Sequence, residues 1–128
     1  MPHGWEYGSA VCPHIHWSKT TADGSELDVA WMFRYSIAAI GSAPSAFSSW
    51  GDHTLTVGDL STQENHNLSD FADIDMTGHT GSCIIFWEIM RDVSEDTYGS
   101  DARLIEFDIH YQIDKLGSQE EAPNANDY

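Results

Sequence analysis

The segment from Ile105 to Ile113 alternates without a break: Ile105, Phe107, Ile109, Tyr111 and Ile113 are apolar, and Glu106, Asp108, His110 and Gln112 separate them. A period of two puts the apolar set on one face of an extended chain, so this segment reads as a half-buried β-strand. A second long alternation places Val29, Trp31, Phe33, Tyr35 and Ile37 on one face, against Ala30, Met32, Arg34, Ser36 and Ala38 on the other. No stretch of the chain sustains a 3.6-residue period. The sequence therefore predicts an all-β protein.

From Ser82 to Arg91 the run Cys83-Ile84-Ile85-Phe86-Trp87-Glu88-Ile89-Met90 is apolar on both sides, as expected of a central strand or of one covered by a neighbouring subunit. Val11 to Trp17 and His53 to Val57 are shorter strand candidates, and Asn67 to Ile74 fits either a short strand or a single helical turn. Turn formers crowd Thr20 to Ser25, Gly41 to Gly51, Thr77 to Gly81 and Ser94 to Asp101. Strands of uneven length with long connections predict an antiparallel β-sandwich of jelly-roll type over residues 1–116, as a single domain. Residues 117–128 are polar and patternless, and read as a mobile tail or as an arm that orders on a partner.

The chain has 128 residues, 41% of them apolar and 12% aromatic, which supplies enough bulk to offset the entropy of ordering one core. Its 21 Asp and Glu against five Lys and Arg give a formal net charge of -16. Such a surface repels phosphate backbones and anionic lipid, so the sequence predicts no nucleic-acid partner and no membrane partner. No apolar run is long enough to span a bilayer, and Met1-Pro2-His3-Gly4 has the character of no signal peptide. Cys12 and Cys83 form no CxxC pair and read as two reduced thiols.

The most conspicuous chemistry is in Pro13-His14-Ile15-His16-Trp17. On a strand, His14 and His16 share a face about 7 Å apart, which is how a β-sheet presents two imidazoles to one metal ion. If the C-terminal strand lies beside them, His110, Asp108 or Glu106 supplies a third ligand, a nitrogen and oxygen set that zinc or iron accepts. A cupin-type site would need a Glu four or five residues after the second His, where this chain has Thr20 and Thr21. The competing reading keeps His14 and His16 as hydrogen-bonded residues on a partly buried or subunit-facing sheet surface.

The loop from Asp92 to Asp101 carries four carboxylates and competes between calcium binding and ordinary turn chemistry; its spacing is not that of an EF-hand. No nucleophile elbow, phosphate loop or HExxH helix occurs, so no enzyme is predicted. Trp5, Tyr7, Phe47 and Trp50 lie in or near loops, where they stack on sugars, anchor a protein interface, or pack over the sandwich ends.

Taken together, Pro2-His3-Gly4-Trp5, Pro13-His14-Ile15-His16-Trp17 and Phe107-Asp108-Ile109-His110-Tyr111-Gln112-Ile113-Asp114-Lys115-Leu116-Gly117-Ser118 resemble a group of small virion proteins of tailed bacteriophages. Met90-Arg91-Asp92 and Asp96-Thr97-Tyr98-Gly99 are similar to that group as well. The likeness covers most of residues 2–121 and is weakest from Gly41 to Gly81. It implies a jelly-roll β-sandwich that assembles on the particle, as capsid cement or decoration proteins and some fibre-associated modules do, usually as a homotrimer. The partners implied are the major capsid protein or other virion proteins, and the location is the capsid exterior, with assembly in the host cytoplasm. Those relatives carry an additional segment, which reads as a strand, ahead of the Pro-His motif. In such an assembly Phe86, Trp87, Met90, Trp5 and Trp50 are the interface candidates. His14, His16 and His110 are the candidate ligands of a structural metal ion, and no other cofactor is expected. A tail-fibre or glycan-binding module is the alternative, followed by a small metal-dependent β-sandwich enzyme.

Overall fold

The computed structural model describes residues 1–2, 4–22, 27–51, 54–57 and 65–113, and the candidate tail at 117–128 lies outside the described residues. Among these residues six strands form, in chain order β1 (Val11–Lys19), β2 (Asp28–Ala38), β3 (Thr54–Val57), β4 (Asn67–Asp70), β5 (Ile84–Arg91) and β6 (Ala102–Tyr111). They make two antiparallel three-stranded sheets, β4-β1-β6 and β3-β2-β5. No helix occurs among the described residues, and so none is long and apolar enough to cross a membrane. The all-β reading is borne out, and both long alternations form strands.

The two middle strands carry the core. Val11, Ile15 and Trp17 of β1 face Val29, Trp31, Phe33 and Ile37 of β2, and all are buried. The Trp17 and Trp31 rings meet at 6.2 Å, and Phe33 stacks between Phe71 at 5.0 Å and Phe107 at 5.8 Å. Trp17 keeps its indole N–H satisfied by donating to Ser69 Oγ at 2.9 Å. Two sheets packed through alternate side chains in this way form a β-sandwich.

Both middle strands are extended by irregular chain. Ser45, Ser48 and Gly51 donate their backbone N–H groups to Ile37, Tyr35 and Phe33, continuing the edge of β2 beyond β3. Phe71 donates to Pro13, and Val11 and Ile74 exchange backbone bonds, continuing the edge of β1 beyond β4. Asn67 to Ile74 is therefore a strand followed by an extended run, and the helical-turn option falls. Hydrogen bonding to β1 satisfies the backbone groups that a helical turn would have had to satisfy internally.

Two expectations change. The doubly apolar run Ser82 to Arg91 is not a central strand: among the described residues β5 pairs only with β2 and forms the edge of its sheet. Ile85 and Ile89 pack against the core, while Ile84, Phe86 and Met90 point to the other face and are exposed. In β6 the pairing with β1 jumps from Glu106 to Leu104 between His16 and Trp17, which leaves Ile105 without an opposite residue. This β-bulge turns Ile105 out of the apolar stripe, and it is 59% exposed.

The acidic loop after β5 is organised by ordinary turn chemistry and by Arg91. Asp92 Oδ1 accepts from the backbone N–H and the hydroxyl of Ser94, at 3.0 and 2.6 Å. Asp96 Oδ1 accepts from the Tyr98 backbone N–H at 2.7 Å, and its other oxygen pairs with Arg91 Nε. Arg91 also donates to the carbonyls of Tyr98 and Ser100. The Asp96 side chain is 2% exposed, so removing its partner strands a buried charge. Arg91→Ala is expected to lower the unfolding free energy by about 3–5 kcal/mol, as read by urea denaturation; a loss below about 1 kcal/mol would show that the pair is solvated.

Candidate functional site

The alternation that sends Val11, Ile15 and Trp17 into the core sends Cys12, His14 and His16 to the opposite face of β1. Because β1 is the middle strand, each of these has neighbours on both sides. His14 stands opposite Asp70 of β4 and Asp108 of β6, His16 opposite Leu68 and Glu106, and Cys12 opposite His110. The outward face of this sheet is therefore a field of imidazoles and carboxylates.

Asp108 is the hub. Its Oδ2 lies 3.1 Å from His16 Nε2 and 3.6 Å from His14 Nε2. These three donor atoms all lie within 4.8 Å of one another. His14 is 4% exposed even though it faces away from the core. The rings of His16 and His110 cover it edge-on, with centroids at 5.1 and 4.5 Å.

His16 is held from both ends. Its Nδ1 meets Nε2 of His66 at 2.5 Å, in the segment just ahead of β4, while its Nε2 faces Asp108. A hydrogen bond between the two rings requires one proton, supplied by either ring. If His66 donates it, His16 presents an N–H to Asp108; if His16 donates it from Nδ1, its Nε2 carries a lone pair toward Asp108 and His14. Two imidazole nitrogens and one carboxylate oxygen are the donor set that borderline divalent cations such as zinc accept.

His14 and His16 are brought together as their spacing predicts, and Asp108 takes the third place. His110 packs against the His14 ring instead and contributes no atom to that group. His66 was not foreseen: it lies far from the Pro-His motif in sequence, and only the pairing of β4 beside β1 delivers it. Among the interface candidates, Phe86 and Met90 lie on the outward face of β5. Trp50 covers the guanidinium of Arg34, 4.4 Å from ring centroid to Cζ, beside Phe47 at 4.9 Å. Trp87 turns inward onto Phe107, 4.3 Å away, yet remains 45% exposed. Trp5 is 0% exposed within the core and is no surface anchor, because its large ring fills the end of the sandwich where the Trp5–Ile113 bridge forms.

Both cysteines are free, Cys12 exposed on the histidine face and Cys83 buried. A hydrogen bond to the carboxylate of Asp73 raises the Cys12 thiol above its ordinary pKa, helped by desolvation and by the negative charge of Asp73 and Asp70. The Asp73 contact thus favours the thiol over the thiolate at Cys12. Alkylation of Cys12 by iodoacetamide is expected to run slower at pH 8 than for an unperturbed thiol, and to quicken in Asp73→Asn. An equal rate in the two proteins would remove Asp73 as the cause.

Comparison with known proteins finds no matching family model, no matching curated protein and no matching solved structure.

Proposed function

We propose that this chain is a structural protein of a tailed-bacteriophage particle, a capsid cement or decoration protein that sits on the outer shell as a homotrimer and stabilises it. The observation that carries this reading is the open side of the sandwich. β5 and β6 are the edge strands on one side, with their outer edges unpaired among the described residues. Ile84, Phe86 and Trp87 of β5, and Leu104 and Ile105 of β6, are all exposed there or on the adjoining face. Unpaired edges lined with large apolar side chains invite association, and monomeric proteins usually blunt them with charge or proline.

The pairing pattern supports a jelly roll. β1 pairs with β6, β2 with β5, and β3 lies beside β4, as in a long hairpin rolled upon itself. The eight-stranded form of that fold has one further strand beside each of the positions that β5 and β6 occupy here. A neighbouring copy in a closed ring would cover the same two edges. A net charge of -16 suits the exterior of a particle, away from packaged DNA. The glycan-binding alternative has less support, since Phe47 and Trp50 already stack on Arg34.

Light scattering on the purified protein is expected to give three times the chain mass of 14.3 kDa, and the protein is expected to co-sediment with cement-free capsids. Ile105→Asp, placed in the bulge and outside the core, should leave the circular dichroism spectrum unchanged while shifting the mass toward the monomer and weakening capsid binding. A wild-type monomer that ignores capsids would sink the proposal.

A further inference from the structure

The geometry points to a binding site for one zinc-class divalent cation on the outward face of the β4-β1-β6 sheet, held by His14 Nε2, His16 Nε2 and Asp108 Oδ2. The site does not depend on the virion reading. A tetrahedral ion with bonds of about 2.0–2.1 Å keeps its ligands roughly 3.3 Å apart. The separations of 3.1 and 3.6 Å from Asp108 Oδ2 to the two imidazole nitrogens bracket that value. The third side of the triangle, between the two imidazole nitrogens, is within 4.8 Å.

A second observation comes from His14. Its side chain is 5% exposed, and its Nε2 stands 3.6 Å from the carboxylate oxygen it faces, too far for a hydrogen bond. A cation between the two would bind both at once in a site already screened from solvent. The surrounding charge favours such an ion. Asp70 stands across from His14 and Glu106 across from His16 on the flanking strands.

His66 completes the arrangement as a positioning residue. Metal-bound histidines usually donate their other ring N–H to a fixed acceptor, which sets the tautomer and the ring orientation. His66 Nε2 sits against His16 Nδ1 for that purpose, so that His16 Nδ1–H donates to His66 and the lone pair of Nε2 faces the ion. The structure thereby separates the histidines of this face: two ligands, one positioning residue, and His110 as packing against His14. Three protein donors leave the fourth tetrahedral position to water or to a donor from another molecule.

Tag-free protein stripped with a chelator and titrated calorimetrically with zinc chloride tests the site. One ion per chain is expected, with saturable binding. His16→Ala and Asp108→Asn should abolish that binding while keeping the wild-type circular dichroism spectrum; Asp108 has a 39% exposed side chain, so the amide is readily accommodated. His66→Ala should retain one ion per chain but bind it about 10–100-fold more weakly. With cobalt(II) in place of zinc, its visible absorption band should shift in His66→Ala and stay unchanged in His110→Ala. Absence of saturable uptake by the wild-type protein, or wild-type binding in Asp108→Asn, overturns the site. Complete loss in His66→Ala, or loss in His110→Ala, overturns the assignment of roles.

Discussion

The pairing of β1 between β4 and β6 is the constraint on which both the core and the histidine face depend. With register fixed on both sides, Val11, Ile15 and Trp17 of β1 meet β2, and His14 and His16 meet the carboxylates of the flanking strands. A slip of one residue would exchange the two faces, exposing Ile15 and Trp17 and driving His14 and His16 into an apolar interior. Burial of the two aromatic and aliphatic sets against β2 makes that exchange prohibitively costly. The chemistry on the outside is therefore held in place by the packing on the inside.

The same logic explains the uneven quality of the two sides of the sandwich. Where β3 and β4 lie, irregular chain continues the edges of both middle strands and satisfies their backbone groups. Where β5 and β6 lie, the outer edges of those two strands are unpaired among the described residues, and bulky apolar side chains stand exposed. The β-bulge adds to this by rotating Ile105 outward. Arg34, between Phe47, Trp50 and Glu88, shows how the outward face of the other sheet is organised: a single cation is surrounded by rings and paired across the strand. One sheet thus turns out a face rich in imidazole and carboxylate, and the other a face rich in aromatic and sulfur-bearing side chains.

Much of this was legible in the residues. Strict alternation over Val29 to Ile37 and Ile105 to Ile113 marked two strands, since side-chain direction in an extended chain follows from covalent geometry alone; the inward face held for β2 and for Phe107 and Ile109, while the bulge put Ile105 outside and Tyr111 and Ile113 stand exposed. The Pro13-His14-Ile15-His16 spacing placed two imidazoles on one face for the same reason. Local rules also settled the acidic loop, where Asp92 and Asp96 bond to backbone groups two residues on. Cys83-Ile84-Ile85-Phe86-Trp87 left a central strand and a subunit-covered one both open, because an apolar pattern on both faces records that a strand seeks cover without recording what provides it; the central option falls.

What the sequence by itself determined is the period of each segment and hence which side chains share a face. Only the tertiary structure decided which faces meet. Asp108 reaches His14 and His16 because β6 pairs beside β1, and His66 reaches His16 because β4 pairs on the other side. Trp5, which reads as a loop aromatic, is buried because the N-terminal segment folds against the end of β6. The physical reason is common to all three. Strand partners are chosen by the summed burial of whole faces across long sequence separations, and no local pattern contains that sum.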